Sequence, residues 1–504
     1  MKPPNLHRWY STAIRRLPAH VARRESHAID TSAGHLAKSI AARVRSRPDR
    51  SGIVELRNGR DAFAARAHLA DAAQYTLDIQ YYIWRSDMSG TLLYEAIRRA
   101  ANRGVRVRLL LDDNNTVGLD NLLAALASHP NIEIRLFNPF MFRRIRTLNI
   151  YDFSRLNRRM HNKTFTADNQ VTIVGGRNIG DEYFAAHQEI DFVDLDVMAI
   201  GPVVTDVSKD FERYWRCESS YPVQSILRKP TRESIDAVAT AAERVTRDPA
   251  ALAYVRALQH SRFVQDLIVG TLQYEWAVTR TLSDDPSKAL GRARPHQLLA
   301  QRLSEALGDP TREMQLITAY LVPTKAGADA LVDLARSGIK ITILTNSFEA
   351  TDVGVVHAGY AKRRKQLLRA GIEIYELKRT ADTISGRDRS LTGSSGSSLH
   401  AKTFAVDGER LFVGSFNFDP RSARLNTEMG FVIASPELAR RVAEAFRNDI
   451  PRTSYKVELT RHGHLCWIER RDGGTIVHKR EPGTGPLHSF MLYVLSKLPI
   501  EWML

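Results

Sequence analysis

The sequence predicts an α/β fold built from two domains that follow each other along the chain and are copies of one plan. A nineteen-residue segment is written twice, as MHNKTFTADNQVTIVGGRN at 160–178 and as LHAKTFAVDGERLFVGSFN at 399–417. Corresponding residues keep a constant offset of 400 − 161 = 239. Strand and helix patterns also occur in the same order around both copies. A repeat on this scale indicates an internal duplication of domain size.

The first half alternates strand and helix patterns from Ser51 onward. Residues 77–84 have the pattern of a strand, and Ser86 or Asp87 can cap the helix that follows. Gly104 is typical of the end of a helix. The other predicted elements before the first motif are strand 105–111, a helix near 119–126 and strand 132–137.

The second half repeats this order. Its predicted strands are 314–321, 339–344 and 372–377, and its helix 326–336 ends before Gly338. After each motif comes a strand and then a helix that begins at a Gly-Pro or Ser-Pro pair, at 201–202 and 435–436. We therefore assign 51–221 to the first domain and 311–454 to the second.

Three other segments complete the predicted organisation. Residues 222–310 are expected to form a helical, charged connection without catalytic chemistry. Residues 1–50 are a basic segment that is either a solvated tail or lies on anionic lipid. Residues 455–504 form a C-terminal appendix with short β structure as far as 475. Its apolar end, 487–504, is either an in-plane membrane foot or a helix packed on the core.

Composition narrows the function classes. The chain has 504 residues, enough for two or three domains with their own cores. Its formal net charge of +16 predicts anionic partners, either nucleic acid or an acidic membrane surface. The two cysteines, Cys217 and Cys466, lack metal-ligand spacing. No uninterrupted apolar run is long enough for a transmembrane helix.

Within each motif the residue types suit a phosphodiester. A histidine and a lysine two residues apart on a strand share a face. The aspartate that follows fits a hairpin turn, and the pair of small residues lets a ligand approach the backbone. The corresponding residues of the two copies are His161 and His400, Lys163 and Lys402, Asp168 and Asp407, Gly175 and Gly414, Gly176 and Ser415, and Asn178 and Asn417.

This pattern, HxKx4Dx6GG or GS followed by xN, resembles that of the phospholipase D superfamily and is complete in both copies. The resemblance implies two tandem phospholipase D-like domains, each a mixed β-sheet flanked by helices. It also implies that the domains are related by a pseudo-twofold axis and share one active site at their interface.

Two histidines allow a phosphodiester to be split through a covalent intermediate. A neutral imidazole attacks phosphorus while a protonated imidazole gives its proton to the departing oxygen. We expect His161 to be the nucleophile and His400 the acid. Asp168 and Asp407 belong to the same catalytic motif, although turn formation suits them better than proton transfer. The phosphoryl oxygens are expected to bind Lys163, Lys402, Asn178, Asn417 and Ser415, so that no metal or other cofactor is required.

Each histidine also needs an acid that orients its other ring nitrogen. Asp194 and Glu428 occupy matching places, seven residues before the Gly-Pro and Ser-Pro pairs (201 − 194 = 7 and 435 − 428 = 7). The resemblance implies that an acid here contacts the histidine of the opposite half, Glu428 with His161 and Asp194 with His400. The alternatives to Asp194 are its neighbours Glu189, Asp191 and Asp196.

Other segments are similar to bacterial cardiolipin synthases of the C type: LDIQYYIWRSDMSGTLL, RVRLLLDDNNT, ATDVGVVHAGY and LPIEWML. The resemblance implies transfer of a phosphatidyl group, with phosphatidylethanolamine as donor and phosphatidylglycerol as acceptor, to form cardiolipin. It implies phospholipids and a membrane surface as partners, with the protein peripheral at the cytoplasmic face of a bacterial inner membrane. Nucleic acid and an obligate protein partner are not expected. The alternative is a hydrolytic phospholipase D, a phosphodiesterase or a nuclease that uses the same residues.

Three other histidines are expected to be structural. His357 could line the substrate cleft, because it lies in a glycine-rich stretch after a strand end. His462 and His464 lack further ligands nearby for a metal.

Overall fold

The computed structural model describes residues 17, 29–186, 192–351, 354–379, 398–471 and 473–485. In the first half the strands are β1 Ser51–Leu56, β2 Thr76–Tyr81, β3 Arg106–Asp112, β4 Ile132–Phe137, β5 Thr164–Ala167, β6 Val171–Gly175, β7 Phe192–Val193, β8 Asp196–Ile200 and β9 Ser220–Pro222. The helices are α1 His35–Arg45, α2 Gly59–Ala72, α3 Met88–Asn102, α4 Asp120–Leu126, α5 Phe153–Leu156 and α6 Pro202–Arg216.

A connection of helices and one strand leads to the second half. It comprises α7 Val223–Ile226, α8 Arg232–Arg247, α9 Pro249–Gln259, α10 Arg262–Val269, β10 Glu275–Ser283 and α11 Leu299–Leu307. The second half contains β11 Glu313–Thr318, α12 Lys325–Arg336, β12 Lys340–Asn346, α13 Gly354–Arg369, β13 Glu373–Leu377, β14 Ser398–Leu399, β15 Lys402–Val406, β16 Arg410–Gly414, α14 Pro420–Arg424, β17 Met429–Ala434, α15 Pro436–Asn448, α16 Ile450–Thr453, β18 Ser454–Leu459, β19 Leu465–Arg471 and β20 Gly474–His478. Short 3₁₀ helices lie at Asp113–Asn115, Arg146–Asp152, Asp181–Tyr183, Pro286–Leu290 and Pro295–Gln297.

Local sequence explains where key elements begin and end. The Asp87 carboxylate accepts a hydrogen bond from the Gly90 N–H at 2.9 Å and caps α3. Gly104 follows that helix with a φ of 97°, which a residue with a Cβ adopts only with strain. Between β5 and β6, Asp168 and Asn169 have φ values of 49° and 51°. Two consecutive positive φ angles make the tight hairpin turn whose twist matches that of the strands.

Eighteen strands form one continuous mixed sheet. Its order is β9-β4-β3-β2-β5-β6-β8-β1-β10-β17-β16-β15-β11-β12-β13-β18-β19-β20. In each half three neighbouring strands are parallel, β2-β3-β4 and β11-β12-β13, and the other pairings of this sheet are antiparallel. Strands β7 and β14 form a separate two-stranded parallel sheet.

The two halves meet in the middle of this sheet. There β1 pairs with β10 in antiparallel fashion, with Ser51 opposite Ala277 and Ile53 opposite Glu275. Outward from this pair the order β1-β8-β6-β5-β2-β3-β4-β9 is repeated as β10-β17-β16-β15-β11-β12-β13-β18. A pseudo-twofold axis therefore passes between β1 and β10. The predicted fold class, two duplicated α/β domains with mixed sheets, is confirmed.

One hydrophobic cluster crosses the boundary between the halves. Val174 and Val197 from the first half pack with Leu411, Val413 and Ile433 from the second, and all are buried. Each side chain of this kind contributes about 1.5–3 kcal/mol when it is fully buried. The two halves are thus joined by a shared hydrophobic core.

The connection between the halves differs from the expectation in one respect. Residues 222–310 were expected to be helical, yet β10 is a nine-residue strand in the centre of the sheet. It pairs with β1 along its first residues and with β17 along the rest, and its buried and exposed positions do not alternate regularly. The strand pattern is consequently weak in the sequence.

The predicted short β structure after residue 455 corresponds to β18, β19 and β20. The proposed apolar foot at 487–504 lies outside the described residues, as do most of the N-terminal segment and the alternative acids Glu189 and Asp191. Within the described part of the chain, no helix combines the length and apolar character needed to cross a membrane.

Candidate active site

Each motif histidine forms one backbone hydrogen bond with the opposite half. The His161 N–H donates to the Thr427 carbonyl at 2.8 Å, and the His400 N–H donates to the Val193 carbonyl at 2.9 Å. Thr427 immediately precedes Glu428, and Val193 immediately precedes Asp194. The pseudo-twofold arrangement therefore sets each histidine beside an acid of the other half.

The side chains complete these pairs. His161 Nδ1 lies 2.8 Å from Glu428 Oε2, and His400 Nδ1 lies 2.5 Å from Asp194 Oδ2. Both carboxylates are inaccessible to solvent. Because an ionised carboxylate only accepts, each Nδ1 carries the hydrogen and each Nε2 is left for a substrate.

The neighbouring Asp196 does not compete for this position. Its carboxylate is paired with the Arg66 guanidinium at 2.8 Å and accepts from the Arg177 N–H at 3.1 Å. Of the acids near Asp194 that the structure describes, Asp194 itself reaches the histidine.

Burial and charge set the protonation of the two pairs. Burial raises the pKa of Glu428, but the charges of His161 and Lys163 outweigh it and bring the pKa below its usual range. For Asp194, burial likewise raises the pKa, and contact with His400 lowers it to well below the usual range. Both acids are thus held ionised.

The histidines shift in the direction that keeps them neutral. Burial lowers the pKa of His161 to about 4, against the opposing charge of Glu428. Burial and the Lys402 ammonium lower the pKa of His400 to about 3, against the opposing charge of Asp194. A bound phosphodiester anion would raise both values, because a nearby negative charge favours the imidazolium.

The ammonium group of each motif lysine contacts the motif histidine two residues before it. Lys163 Nζ donates to the His161 carbonyl at 2.5 Å, and Lys402 Nζ donates to the His400 carbonyl and lies 3.0 Å from His400 Nδ1. Burial lowers the pKa of Lys163 to about 7. Each lysine also acts on the histidine of the other half, with a smaller effect than burial and the nearer groups. The charge of Lys402 lowers the pKa of His161, and the charge of Lys163 lowers the pKa of His400. The electrostatic fields of the two half-sites therefore overlap.

The remaining phosphate-binding candidates are placed differently from one another. Asn178 Oδ1 accepts from the Ile83 N–H, and its Nδ2 donates to the Tyr183 hydroxyl, both at 3.1 Å. Asn417 Oδ1 is buried without a hydrogen-bond partner. Ser415 Oγ donates its single hydrogen to Glu428 Oε2 at 2.5 Å. Ser415 therefore supports the acid in the empty site, and its contact with phosphate stays a prediction.

The motif glycines make room for the acids rather than for a ligand. A Cβ on Gly176 would lie 2.2 Å from Asp194 Oδ1, and a Cβ on Gly175 would lie 2.1 Å from Asp196 Oδ1. In the second half, a Cβ on Gly414 would lie 2.3 Å from the Met429 carbonyl oxygen. The expectation that these glycines open the backbone to substrate is corrected.

The motif aspartates belong to the turns and not to the catalytic group. The Asp168 carboxylate accepts from the N–H groups of Gln74, Tyr75 and Thr76 at 2.8–2.9 Å. Asp407 accepts in the same way from the N–H groups at 311–313. The four residues of β5, about 13 Å at 3.3 Å each, separate Asp168 from the His161 end of the motif. Each aspartate ties its hairpin to the start of the neighbouring strand.

Comparison with known proteins agrees with this geometry. The family described as "Cardiolipin synthase, PLD-like domain" matches residues 67–215 and 303–450, once in each half. The chain belongs to this family. It is 52% identical to cardiolipin synthase C of Escherichia coli over 93% of this chain and 99% of that protein. It is 24% identical to a cardiolipin synthase of Oceanobacillus iheyensis over 80% of this chain and 70% of that protein.

A solved structure shows the same fold. The crystal structure of a phosphatidylserine synthase from Haemophilus influenzae aligns with a TM-score of 0.58 and 13% identity. The alignment covers 92% of this chain and 99% of that chain. The resemblance to the phospholipase D superfamily drawn from the motifs is confirmed by the family match in each half.

Around the family motif the structure adds four residues that sequence reasoning missed. Ser422 Oγ donates to Glu428 Oε1 at 2.8 Å, and Asp284 Oδ2 accepts from the Glu428 N–H at 2.9 Å. The Tyr82 and Tyr183 rings stand edge-on to His161 and His400, with centroids 5.0 and 5.2 Å away. One signal existed: Tyr183 follows Asn178 by five residues, as Ser422 follows Asn417. Asp284 has none, because it lies in the connection, more than a hundred residues from its partner.

The other histidines have structural surroundings. His357 is buried on α13, and its Nε2 lies 2.7 Å from Glu481 Oε1, which also pairs with Arg364. It therefore joins a buried charge cluster instead of lining the cleft. His462 and His464 are exposed in the turn before β19, and the described residues contain no cluster of three or more potential metal ligands.

Proposed function

We propose that this protein is a cardiolipin synthase that moves a phosphatidyl group between two phospholipids through a phosphohistidine. The observation that carries the proposal is the pair of imidazoles, each held at Nδ1 by a buried carboxylate of the other half. Membership of the family and 52% identity to a protein named cardiolipin synthase C support the lipid substrates.

The first half-reaction splits the donor, which we propose to be phosphatidylethanolamine. His161 Nε2 attacks the phosphorus, and the bond from phosphorus to the ethanolamine oxygen breaks. The negative charge of the bound phosphodiester favours uptake of a proton at His400 Nε2. The departing oxygen takes this proton, so that ethanolamine leaves with a neutral hydroxyl group and its ammonium group unchanged. A phosphatidyl group remains on His161, and His400 is left neutral.

The second half-reaction reverses these roles. A free hydroxyl of phosphatidylglycerol gives its proton to His400 Nε2, and its oxygen attacks phosphorus. The bond between phosphorus and His161 then breaks, which restores the enzyme and releases cardiolipin. One histidine thus serves as acid and then as base, as microscopic reversibility requires.

The hydrogen bonds of the two acids support the assignment of His161 as nucleophile. Glu428 shares its charge among His161 and the hydroxyls of Ser415 and Ser422. Asp194 accepts from His400 and from the Leu195 N–H. Asp194 has fewer donors on it than Glu428, which supports a proton on His400, although burial and Lys402 hold the pKa of His400 at about 3 in the empty site. Lys402 opposes that proton in the empty site, and we propose that its ammonium is drawn to the phosphoryl oxygens when substrate binds.

We propose that the lysines supply the positive charge that the transition state needs. Lys163 and Lys402 are buried beneath the two rings, where a charge interacts more strongly than in water. Asn178 and Asn417 are the further candidates for phosphoryl contacts. With two ammonium groups in place, the reaction is expected to proceed without a metal ion.

The decisive experiment is product analysis. Purified protein is incubated with labelled phosphatidylglycerol, with and without phosphatidylethanolamine, and the lipids are separated. Cardiolipin whose formation depends on phosphatidylethanolamine is expected. Phosphatidic acid as the sole product would replace the proposal with a hydrolase.

A second experiment tests the two-histidine mechanism. His161→Asn and His400→Asn are each expected to lower turnover about as far as the double variant, because the residues act as one unit. Near wild-type turnover in either single variant would exclude the mechanism. Asp168→Asn provides the control, since it changes the same motif away from the rings.

A further inference from the structure

A ridge of apolar side chains faces solvent on the connection between β4 and β5. It is formed by Ile145, Leu148, Ile150, Tyr151 and Phe153, which are between 49% and 79% exposed. Of the fourteen large hydrophobic residues that are exposed in the described part of the chain, five fall within 145–153. Exposed apolar residues clustered in this way mark an interaction surface.

The polar side of the same segment points inward and holds the ridge in place. Arg143 forms ion pairs with Asp113 and Asp120. Arg146 donates to the Asn114 and Asp113 carbonyls at 2.6 and 2.9 Å. The arrangement is the reverse of an ordinary surface loop, because polar groups are used internally and apolar groups face water.

The ridge is attached to the His161 edge of the active site. The Met160 N–H, next to His161, donates to Asp112 at the end of β3 at 2.8 Å. Asn114 lies in the loop that follows β3, and its Nδ2 donates to the hydroxyl of Tyr82. The ring of Tyr82 packs against His161. Arg146 therefore ties the ridge segment to residues 113–114, and Asn114 in turn contacts Tyr82 beside the His161 ring.

The segment that carries the apolar side chains has an excess of positive charge. Residues 141–159 contain six arginines, and Arg143, Arg155 and Arg159 are paired with four aspartates, Asp113, Asp120, Asp152 and Asp112, which leaves a formal charge of 6 − 4 = +2. Arg144, in the middle of the ridge sequence, is exposed. Apolar side chains beside arginines are the composition of segments that lie in the headgroup region of an anionic membrane.

We propose that the ridge is the surface by which this protein docks on an anionic phospholipid bilayer, with the His161 edge of the active site facing the headgroups. A second copy of the chain is a poor occupant, because two ridges would bring like charge against like charge, +2 against +2. The proposal deepens the proposed function, since it supplies the route by which a lipid substrate reaches the two histidines. It does not depend on which phospholipids react.

The test compares two charge-introducing double variants. Leu148→Asp with Ile150→Asp alters the ridge at exposed side chains, 52% and 79% accessible, so that the fold is preserved. Ile268→Asp with Val269→Asp is the matched control at 65% and 74%. Ile268 lines the same cavity as Gln74, which precedes β2, whereas Tyr82 follows that strand. The control therefore lies near the start of β2, at the opposite end of this strand from Tyr82.

Binding is measured by co-sedimentation with vesicles of phosphatidylglycerol and phosphatidylethanolamine, and thermal unfolding verifies the fold. The ridge variant is expected to lose at least about tenfold in vesicle partitioning, and the control to bind as the wild type does. Vesicle binding of the wild type should also weaken in high salt. The proposal is overturned if the wild type does not bind, if the ridge variant binds equally, or if the control loses as much.

Two further measurements separate the alternatives. If the ridge variant changes the oligomeric state seen by light scattering, the ridge is an interface between copies and the proposal falls. Turnover of dihexanoyl-phosphatidylglycerol together with dihexanoyl-phosphatidylethanolamine, both below their micellar concentrations, should be equal in wild type and ridge variant. A matching loss there would assign these residues to the active site and overturn the docking role. If no cardiolipin forms but vesicle binding is lost only in the ridge variant, the proposed function fails and the docking surface stands.

Discussion

Replacing Glu428 by glutamine removes one buried negative charge from the His161 half-site and keeps the shape of the side chain. Glu428 Oε2 lies 2.8 Å from His161 Nδ1, and the carboxylate also accepts from Ser415 and Ser422. When His161 attacks phosphorus its ring becomes positively charged. The carboxylate stabilises that charge, whereas a glutamine oxygen offers only a dipole.

The size of the effect follows from this contact. A unit charge about 4 Å away at an effective dielectric constant of about 20 contributes roughly 4 kcal/mol. The glutamine oxygen can retain a hydrogen bond of about 1–1.5 kcal/mol. The expected loss of about 2–4 kcal/mol in activation free energy corresponds to a fall in kcat of roughly 30-fold to 1000-fold.

The assay is cardiolipin formation in mixed vesicles, with thermal unfolding measured on the same samples. Ser415→Ala is the matched control, because it removes one hydrogen bond to Glu428 and leaves the charge. It is expected to lower kcat by less than about tenfold, since a neutral hydrogen bond contributes about 0.5–1.5 kcal/mol. If the Glu428→Gln enzyme keeps kcat within about threefold, or if both variants lose equally, the carboxylate does not stabilise the charge on His161.

Three other outcomes are expected. Inhibition by sulfate should weaken as the pH rises through about 7. Sulfate stays a dianion over this range, whereas burial lowers the pKa of Lys163 to about 7, and the neutral amine no longer attracts an anion. Inhibition constants between pH 6 and 9 measure this, and constant values would contradict it. Asp168→Asn should lower the free energy of unfolding by about 1.5–3 kcal/mol in urea titrations, because three N–H groups lose a charged acceptor, while kcat stays within about twofold. Cardiolipin formation should be unchanged after dialysis against EDTA, and a loss restored by a divalent cation would show that the lysines are not sufficient.

Much of the fold was predictable because local patterns carry it. Strand β4 was predicted with the bounds 132–137 that the structure has, since it is a short apolar run between turn residues. The cap at Asp87 and the stop at Gly104 were equally readable, because both depend on backbone geometry within a few residues. Strand β10 was missed, because its burial pattern does not alternate regularly and its partners are one strand from each half.

For the site, the sequence by itself determined the residue types: two histidines, two lysines and an acid at matching places in each half. The family resemblance added that each acid crosses to the other half. Only the tertiary structure decided that Asp194 and not Asp196 reaches His400, because Asp196 is taken by Arg66. It also decided that Ser415 and Ser422 support Glu428, and that the exposed ridge lies on the His161 edge. The physical reason is that periodicity encodes which face of an element is apolar, whereas a contact across 267 residues depends on how the two halves pack.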